Sequence, residues 1–219
     1  MLPSDKIAVV GPGRLGTALS AALRDAGLEV EGPLGRGVVP TADVVLLCVP
    51  DAAIHEAARL VGPGRLAGHC SGATTLDGLD FSLHPLMTVP AEGAHFAGVP
   101  AAVAGHPVAT ELAERLGMRP IHVADEDRAA YHAAASMASN FLVILETAAE
   151  RVAQTAGIAR ADLVPLVSAT VANWARLGPA ALTGPVARGD TATLDRHRAA
   201  LRERTPDLLP LYEAMVAAC

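Results

Sequence analysis

The 219-residue sequence predicts an α/β fold: a doubly wound parallel sheet followed by a small all-α domain. Three observations carry that reading. Ile7 to Val10 is a short apolar, partly β-branched run suited to a strand buried on both faces, and it leads straight into Gly11-Pro12-Gly13-Arg14-Leu15-Gly16. Strand and helix patterns then alternate as far as Val123. From Arg128 to Ala156 there is neither glycine nor proline and alanine is abundant, so helix takes over.

In chain order, Leu15, Ala18, Leu19, Ala22 and Leu23 fall at helical spacing after the glycines, and Gly27 ends that helix as its C′ residue. A second strand begins at Leu28. Asp43 to Val49 is another buried-strand pattern closing on Pro50-Asp51, with Asp51 read as the N-cap of the next helix. Arg65 to His69 and Asp80 to Leu83 are shorter strands. Cys70-Ser71-Gly72-Ala73 leaves the first of them and His84-Pro85-Leu86 the second. Ala101 to Ala104, a helix near Val108–Leu116 and Arg119 to Val123 complete a Rossmann domain over residues 1–125. The helical domain spans 126–219. Asp125-Glu126-Asp127 supplies an N-cap and first-turn acids to a helix of about seven or eight turns. Asp162–Leu177, Asp190–Arg204 and Pro206–Ala217 follow, the last with a Thr205-Pro206 start signal.

Composition narrows the function classes. A hydrophobic fraction of 51% suffices for a sizeable core, and 3% aromatics leave it to Ala, Leu and Val. A net charge of −6 without long runs argues against nucleic acid or an anionic membrane as partner. Asp5-Lys6 precedes a strand and not a long apolar region, so no signal peptide is read. Cys48, Cys70 and Cys219 show no paired spacing, which points to a reducing cytoplasm with neither disulfides nor zinc. Lys6 is the single lysine, and it stands at the wrong end of the first strand to act as a general acid.

The glycines have separate physical roles. Gly11 permits the tight turn, Gly13 lets a pyrophosphate approach the backbone, and Gly16 lets helix and strand pack closely. The helix N-terminus offers unpaired N–H groups to that anion. An NAD site carries an acid near the end of the second strand, whereas this chain has Pro33-Leu34-Gly35-Arg36-Gly37 there. Glu31 falls too early, inside the strand. The reading is NADP(H), with Arg36 either meeting the 2′-phosphate or standing as a solvated surface arginine. Val49 and Pro50 lie at a strand's carboxyl end, where Pro50 would pack against the cofactor.

Three constellations could carry chemistry. His132, Ser136 and Asn140 are spaced i, i+4 and i+8 on the long helix, flanked by Tyr131 and Ser139. They line a substrate cleft, bond between helices or face solvent. His84 follows a strand end and either protonates a developing alkoxide or amine or is an ordinary loop histidine. His55, His95, His106, His122 and His197 are assigned to surface or packing. The stretch from Ala181 to Asp190 carries Thr183, Arg188 and Asp190 in a turn-rich loop. Arg188 could grip a carboxylate, and Asp190 most simply caps the next helix.

Read together and in order, GPGRLGTAL, VPDAAI, HCSGA, SLHPL, YHAAASMASNFL and ALTGPVARGD resemble one family. It comprises the bacterial Rossmann-like proteins with a helical C-terminal domain described only as of unknown function. These are distant relatives of pyrroline-carboxylate reductases, ketopantoate reductases and the 6-phosphogluconate dehydrogenase superfamily. The resemblance implies an NAD(P)-binding oxidoreductase, usually a dimer built through the helical domain. It places Gly11, Gly13, Arg14, Leu15 and Gly16 at the pyrophosphate, Arg36 at the 2′-phosphate, and Val49 and Pro50 along the nucleotide. Ser71, Ser136, Thr183 and Arg188 then bind substrate, with His132, Asn140 and His84 as the catalytic candidates. Related hydroxyacid dehydrogenases use a Lys-x-x-x-Asn pair; here Asn140 fits the Asn and Ser136 stands at the Lys. Two readings follow: hydride transfer to a small 2-oxo acid or cyclic imine, or an NADP(H)-responsive module without turnover.

Overall fold

The computed structural model describes residues 6–90 and 92–219, so Asp5 lies outside the described residues. Two compact units divide the chain, one ending at Ser139 and the other running from Asn140 to Cys219.

In the first unit, seven strands form one sheet among the described residues. They are β1 (Lys6–Val10), β2 (Glu29–Leu34), β3 (Val44–Leu47), β4 (Leu66–His69), β5 (Phe81–Pro85), β6 (Pro100–Gly105) and β7 (Arg119–His122). Their order is β2-β1-β3-β4-β5-β6-β7. Period-two alternation explains why both faces are covered. Ile7, Val9, Val44 and Leu46 pack into one core with Leu19 and Leu23 of helix α1 (Arg14–Asp25) and Leu112 of helix α3 (Val108–Arg115). Ala8, Val10, Val45 and Leu47 face the other way, onto Ile54 of helix α2 (Ile54–Ala58). Each such Leu or Ile contributes about 1.5–3 kcal/mol by leaving water.

One pair departs from the parallel expectation. Strands β5 and β6 are antiparallel, with Phe81 opposite Gly105 and Pro85 opposite Ala101. A parallel return needs a crossover, usually helical. The segment 86–99 carries Pro90, Gly93 and Gly98, and its described residues form no helix, so the chain doubles back on the edge it left. Strands β1 to β5 remain parallel, with Val10 beside Leu47, Leu47 beside His69, and His69 beside Ser82. Their carboxyl ends therefore share one edge.

Several helix starts differ from the sequence reading. Asp51 does not cap α2: Ala53 holds that place, and Asp51 opens a 3-10 turn, Asp51–Ala53, that follows Pro50. Asp125 likewise opens a 3-10 turn, Asp125–Asp127, and its carboxylate turns back to accept from Leu76 N. The long helix is interrupted. Helix α4 (Arg128–Ser136) passes into a π-helical turn, Met137–Phe141, before helix α5 (Leu142–Gln154). No proline or glycine marks that turn, so composition gave no warning of it.

The second unit holds α5, α6 (Arg160–Leu177), α7 (Gly184–Ala187), α8 (Thr191–Arg204) and α9 (Leu209–Ala217). Asp190 caps α8, accepting from Thr193 N at 3.1 Å and Thr193 Oγ1 at 2.7 Å. Thr205 starts a 3-10 turn, Pro206–Leu208, without a side-chain cap. Arg198 ties α8 to α9 through Glu213. No described helix is long and apolar enough to cross a membrane.

Candidate active site on the carboxyl edge of the sheet

The glycine-rich turn is built by close backbone approach. Gly11 has φ +114°, and a Cβ there would lie 2.2 Å from Cys48 O. A Cβ on Gly16 would lie 1.9 Å from Gly11 O, so the first turn of α1 sits directly on the turn that precedes it. Gly13 differs: its φ is −75° and nothing lies within 4 Å of its missing Cβ. Its bareness leaves open space beside the backbone at the N-terminus of α1, the kind of space an anion fills.

Gly11, Gly13, Arg36, Val49 and Pro50 line one cavity of about 340 Å³, together with Cys48 and Glu56. Arg14 and Leu15 begin α1, with Leu15 packed on the core. Arg36 is 86% exposed and bound bidentately by Glu56, with Nη2 2.8 Å from both carboxylate oxygens. Glu31 is occupied elsewhere. Its carboxylate accepts from Thr41 N, Thr41 Oγ1 and Ala42 N, which fastens β2 to the loop before β3. Cys48 and Cys70, unpaired by sequence spacing, sit side by side because Leu47 pairs with His69; their Sγ atoms are 3.6 Å apart. Cys48 beside it and burial push the Cys70 thiol pKa up.

Farther along the same edge, β4, β5 and α4 assemble a polar cluster. Ser71 is 8% exposed, and its hydroxyl accepts from Ala73 N and Thr74 N while bonding to Thr74 Oγ1, so it shapes its own loop. His84 Nδ1 lies 2.7 Å from Tyr131 Oη, the two rings nearly perpendicular at 88°. A Cβ on Gly72 would stand 2.9 Å from His84 Cε1, 3.0 Å from His84 Nε2 and 3.0 Å from His132 Cδ2. Gly72 is thus the bare floor against which both imidazoles rest. Burial, then His132 and Arg128, push the His84 pKa down to about 4, so the ring is neutral at pH 7. Burial raises the Tyr131 pKa.

Two residues of this cluster escaped the sequence reading. Arg128 is 1% exposed and donates to Asp125 Oδ1, Ser71 O and Ser82 Oγ. It joins the start of α4 to β5 and to the loop after β4. His69 is fully buried; its Nδ1 accepts from Ser71 N and its Nε2 donates to Thr75 O, which sets that loop from beneath. Nothing in local pattern separates Arg128 from a surface arginine, because its partners lie 46 and 57 residues away.

The remaining candidates are placed as follows. Ser136 is the last residue of α4. Asn140 lies in the π-helical turn, Thr183 precedes α7 and Arg188 follows it, all three in the second unit. His55 pairs with Asp77, and His197 bonds Tyr212.

The fold is that of a Bacteroides fragilis protein provisionally described as an NADP oxidoreductase, with a TM-score of 0.83 at 21% identity over 98% of this chain and 97% of that one. A Thermotoga maritima protein gives 0.78 at 22% identity, with 97% and 96% covered. A reductive aminase from Aspergillus terreus, solved with NADPH and ethyl levulinate, gives 0.70 at 14% identity, with 98% and 93% covered. At these identities the likeness is one of fold. No curated protein matches the chain. Residues 95–219 match the family described as a domain of unknown function, DUF2520, and the chain belongs to that family.

Proposed function

We propose that this protein is an NADP(H)-dependent oxidoreductase that reduces a small C=O or C=N substrate, a 2-oxo acid or a cyclic imine acid. One observation carries the reading. A glycine-turn cavity with an arginine at its rim and a half-buried histidine–tyrosine pair lie along the same carboxyl edge of the parallel strands β1 to β5. Open α/β sheets bind ligands on that edge.

The residues suit a dinucleotide phosphate. The bare Gly13 and the first N–H groups of α1, at Arg14, Leu15 and Gly16, would take the pyrophosphate. Arg36 would exchange Glu56 for the 2′-phosphate, and Val49 and Pro50 would flank the nucleotide. When bound, the dihydronicotinamide supplies a hydride to the substrate carbon. His84 and His132 would then face the reacting group across Gly72. Asn140, Ser136, Thr183 and Arg188 would orient the substrate, Arg188 by its carboxylate. Likeness of fold to a reductive aminase solved with NADPH supports this reading.

The second unit is proposed to pair with a second copy. Val143, Leu166 and Trp174 are 65%, 65% and 64% exposed, far more apolar surface than a solitary helical unit leaves to water. Light scattering should report a dimer of the 22.3 kDa chain.

The test is calorimetric titration with NADPH and NADH, followed by progress curves of NADPH oxidation against 2-oxo acids and cyclic imines. Binding with turnover on one class supports the proposal. Binding without turnover favours an NADP(H)-responsive module, as Ser136 at the lysine position would suggest. Absence of binding overturns both.

A further inference from the structure

His84 divides its two nitrogens between different surroundings. Nδ1 faces the Tyr131 hydroxyl at 2.7 Å, whereas Nε2 faces the bare Gly72 and, across it, His132. Which nitrogen carries the proton follows from donor and acceptor strength. A phenol is a good donor and a poor acceptor, because its oxygen lone pair is shared with the ring. The pyridine-like nitrogen of a neutral imidazole is a strong acceptor. The favoured arrangement is Tyr131 O–H donating to Nδ1, which leaves the imidazole proton on Nε2.

We infer that Tyr131 is a positioning residue that holds His84 as the Nε2–H tautomer and feeds its own phenolic proton through the ring to the substrate. The inference rests on the proposed reduction. When a carbonyl or imine is reduced, negative charge gathers on its oxygen or nitrogen. That atom takes the Nε2 proton as the N–H bond breaks, and Nδ1 gains the Tyr131 proton; after product leaves, Nε2 takes a proton from water and Nδ1 returns its own to the phenolate, which restores the starting tautomer. The imidazole begins and ends neutral, so no imidazolium is required.

The surroundings suit this. The groups facing His84 are Tyr131, His132 and Arg128 from α4, His69 from β4, and Asp51 from the turn after β3. Of these, His132, Arg128 and His69 disfavour a charged ring and Asp51 favours it, with burial outweighing each. Arg128 is itself anchored to Ser82 of β5 and to Asp125, so the helix bearing Tyr131 is held in place against His84. A neutral imidazole acting as hydrogen-bond donor is a known catalytic device where the surroundings disfavour the cation.

The experiment is nitrogen NMR on the full chain labelled with ¹⁵N-histidine, at pH 7.5 and without ligand. The expected His84 pattern is a protonated Nε2 and an unprotonated, hydrogen-bonded Nδ1. An Nδ1–H tautomer or an imidazolium overturns the inference, whatever the enzyme turns over. Tyr131→Phe should give a mixture of tautomers with NADPH affinity unchanged and kcat reduced roughly 100-fold, the size of a lost acid–base contribution. An unchanged Tyr131→Phe spectrum overturns it too. Replacing Tyr131 by 3-fluorotyrosine keeps the side-chain shape and lowers the phenol pKa, so the basic limb of kcat should move to lower pH. A limb that stays in place counts against the relay. If NADPH binding fails altogether the proposed function falls, while the tautomer measurement still decides the role of Tyr131.

Discussion

Gly11 and Gly13 stand two residues apart and should fail differently when substituted. Gly11 combines a φ of +114° with a missing Cβ that would press on Cys48 O, so Gly11→Ala must move backbone and should cost about 4 kcal/mol or more. Gly13→Ala meets nothing, and its melting temperature should match the wild type within the range of about 0.5 kcal/mol. Its NADPH affinity should nonetheless fall at least tenfold, since the new methyl would enter the space proposed for the pyrophosphate. Equal loss of stability in both variants would refute this division. Arg36 and Glu56 form a second residue-scale pair. Arg36→Ala should weaken NADPH roughly tenfold to a hundredfold and leave NADH unchanged, the size of one charge-assisted contact. Glu56→Gln should strengthen NADPH, because it releases the guanidinium and removes a carboxylate from the phosphate's neighbourhood. Titration of both variants with both nucleotides checks these signs.

At the scale of elements, Arg128 is a main tie between α4 and the sheet. Arg128 answers the Ser71 carbonyl, the Ser82 hydroxyl and the Asp125 carboxylate from a position closed to water. Arg128→Met keeps the aliphatic stem and deletes the donors, so two buried acceptors lose their partner. The expected loss is about 3 kcal/mol, read as a lower urea midpoint at unchanged slope. The same substitution should loosen the 2.7 Å contact between His84 and Tyr131, since Tyr131 rides on that helix. The register of β3 against β4 is another element-scale decision. It sets Cys48 beside Cys70 and brings the carboxyl-edge loops into line.

For the whole molecule, buried histidines tie stability to pH. His84 and His69 both have folded pKa values below the ordinary value, each chiefly because burial disfavours the charged ring. A depressed value means the unfolded chain binds protons first. The stabilisation is fully present above about pH 6.5 and is lost as pH falls toward the folded value. For His84, moving from near 6.5 to about 4, the loss at pH 5 is about 2 kcal/mol. Urea unfolding between pH 7 and pH 5 should show that decline, and His84→Gln should flatten it. An equal slope in the variant would exclude His84 as its source.

What the sequence determined by itself is what local spacing encodes. Strand, glycine turn and helix at the N-terminus and the parallel run from β1 to β5 were legible, because the governing residues are near neighbours in the chain. The Asp190 cap was legible for the same reason. Tertiary structure alone decided the antiparallel turn of β6, the break at Met137–Phe141, the burial of Arg128 and His69, and the meeting of His84 with Tyr131 47 residues away. Those outcomes depend on which distant groups are left without water, and a buried donor or acceptor chooses its partner by proximity in space, which a one-dimensional pattern does not carry.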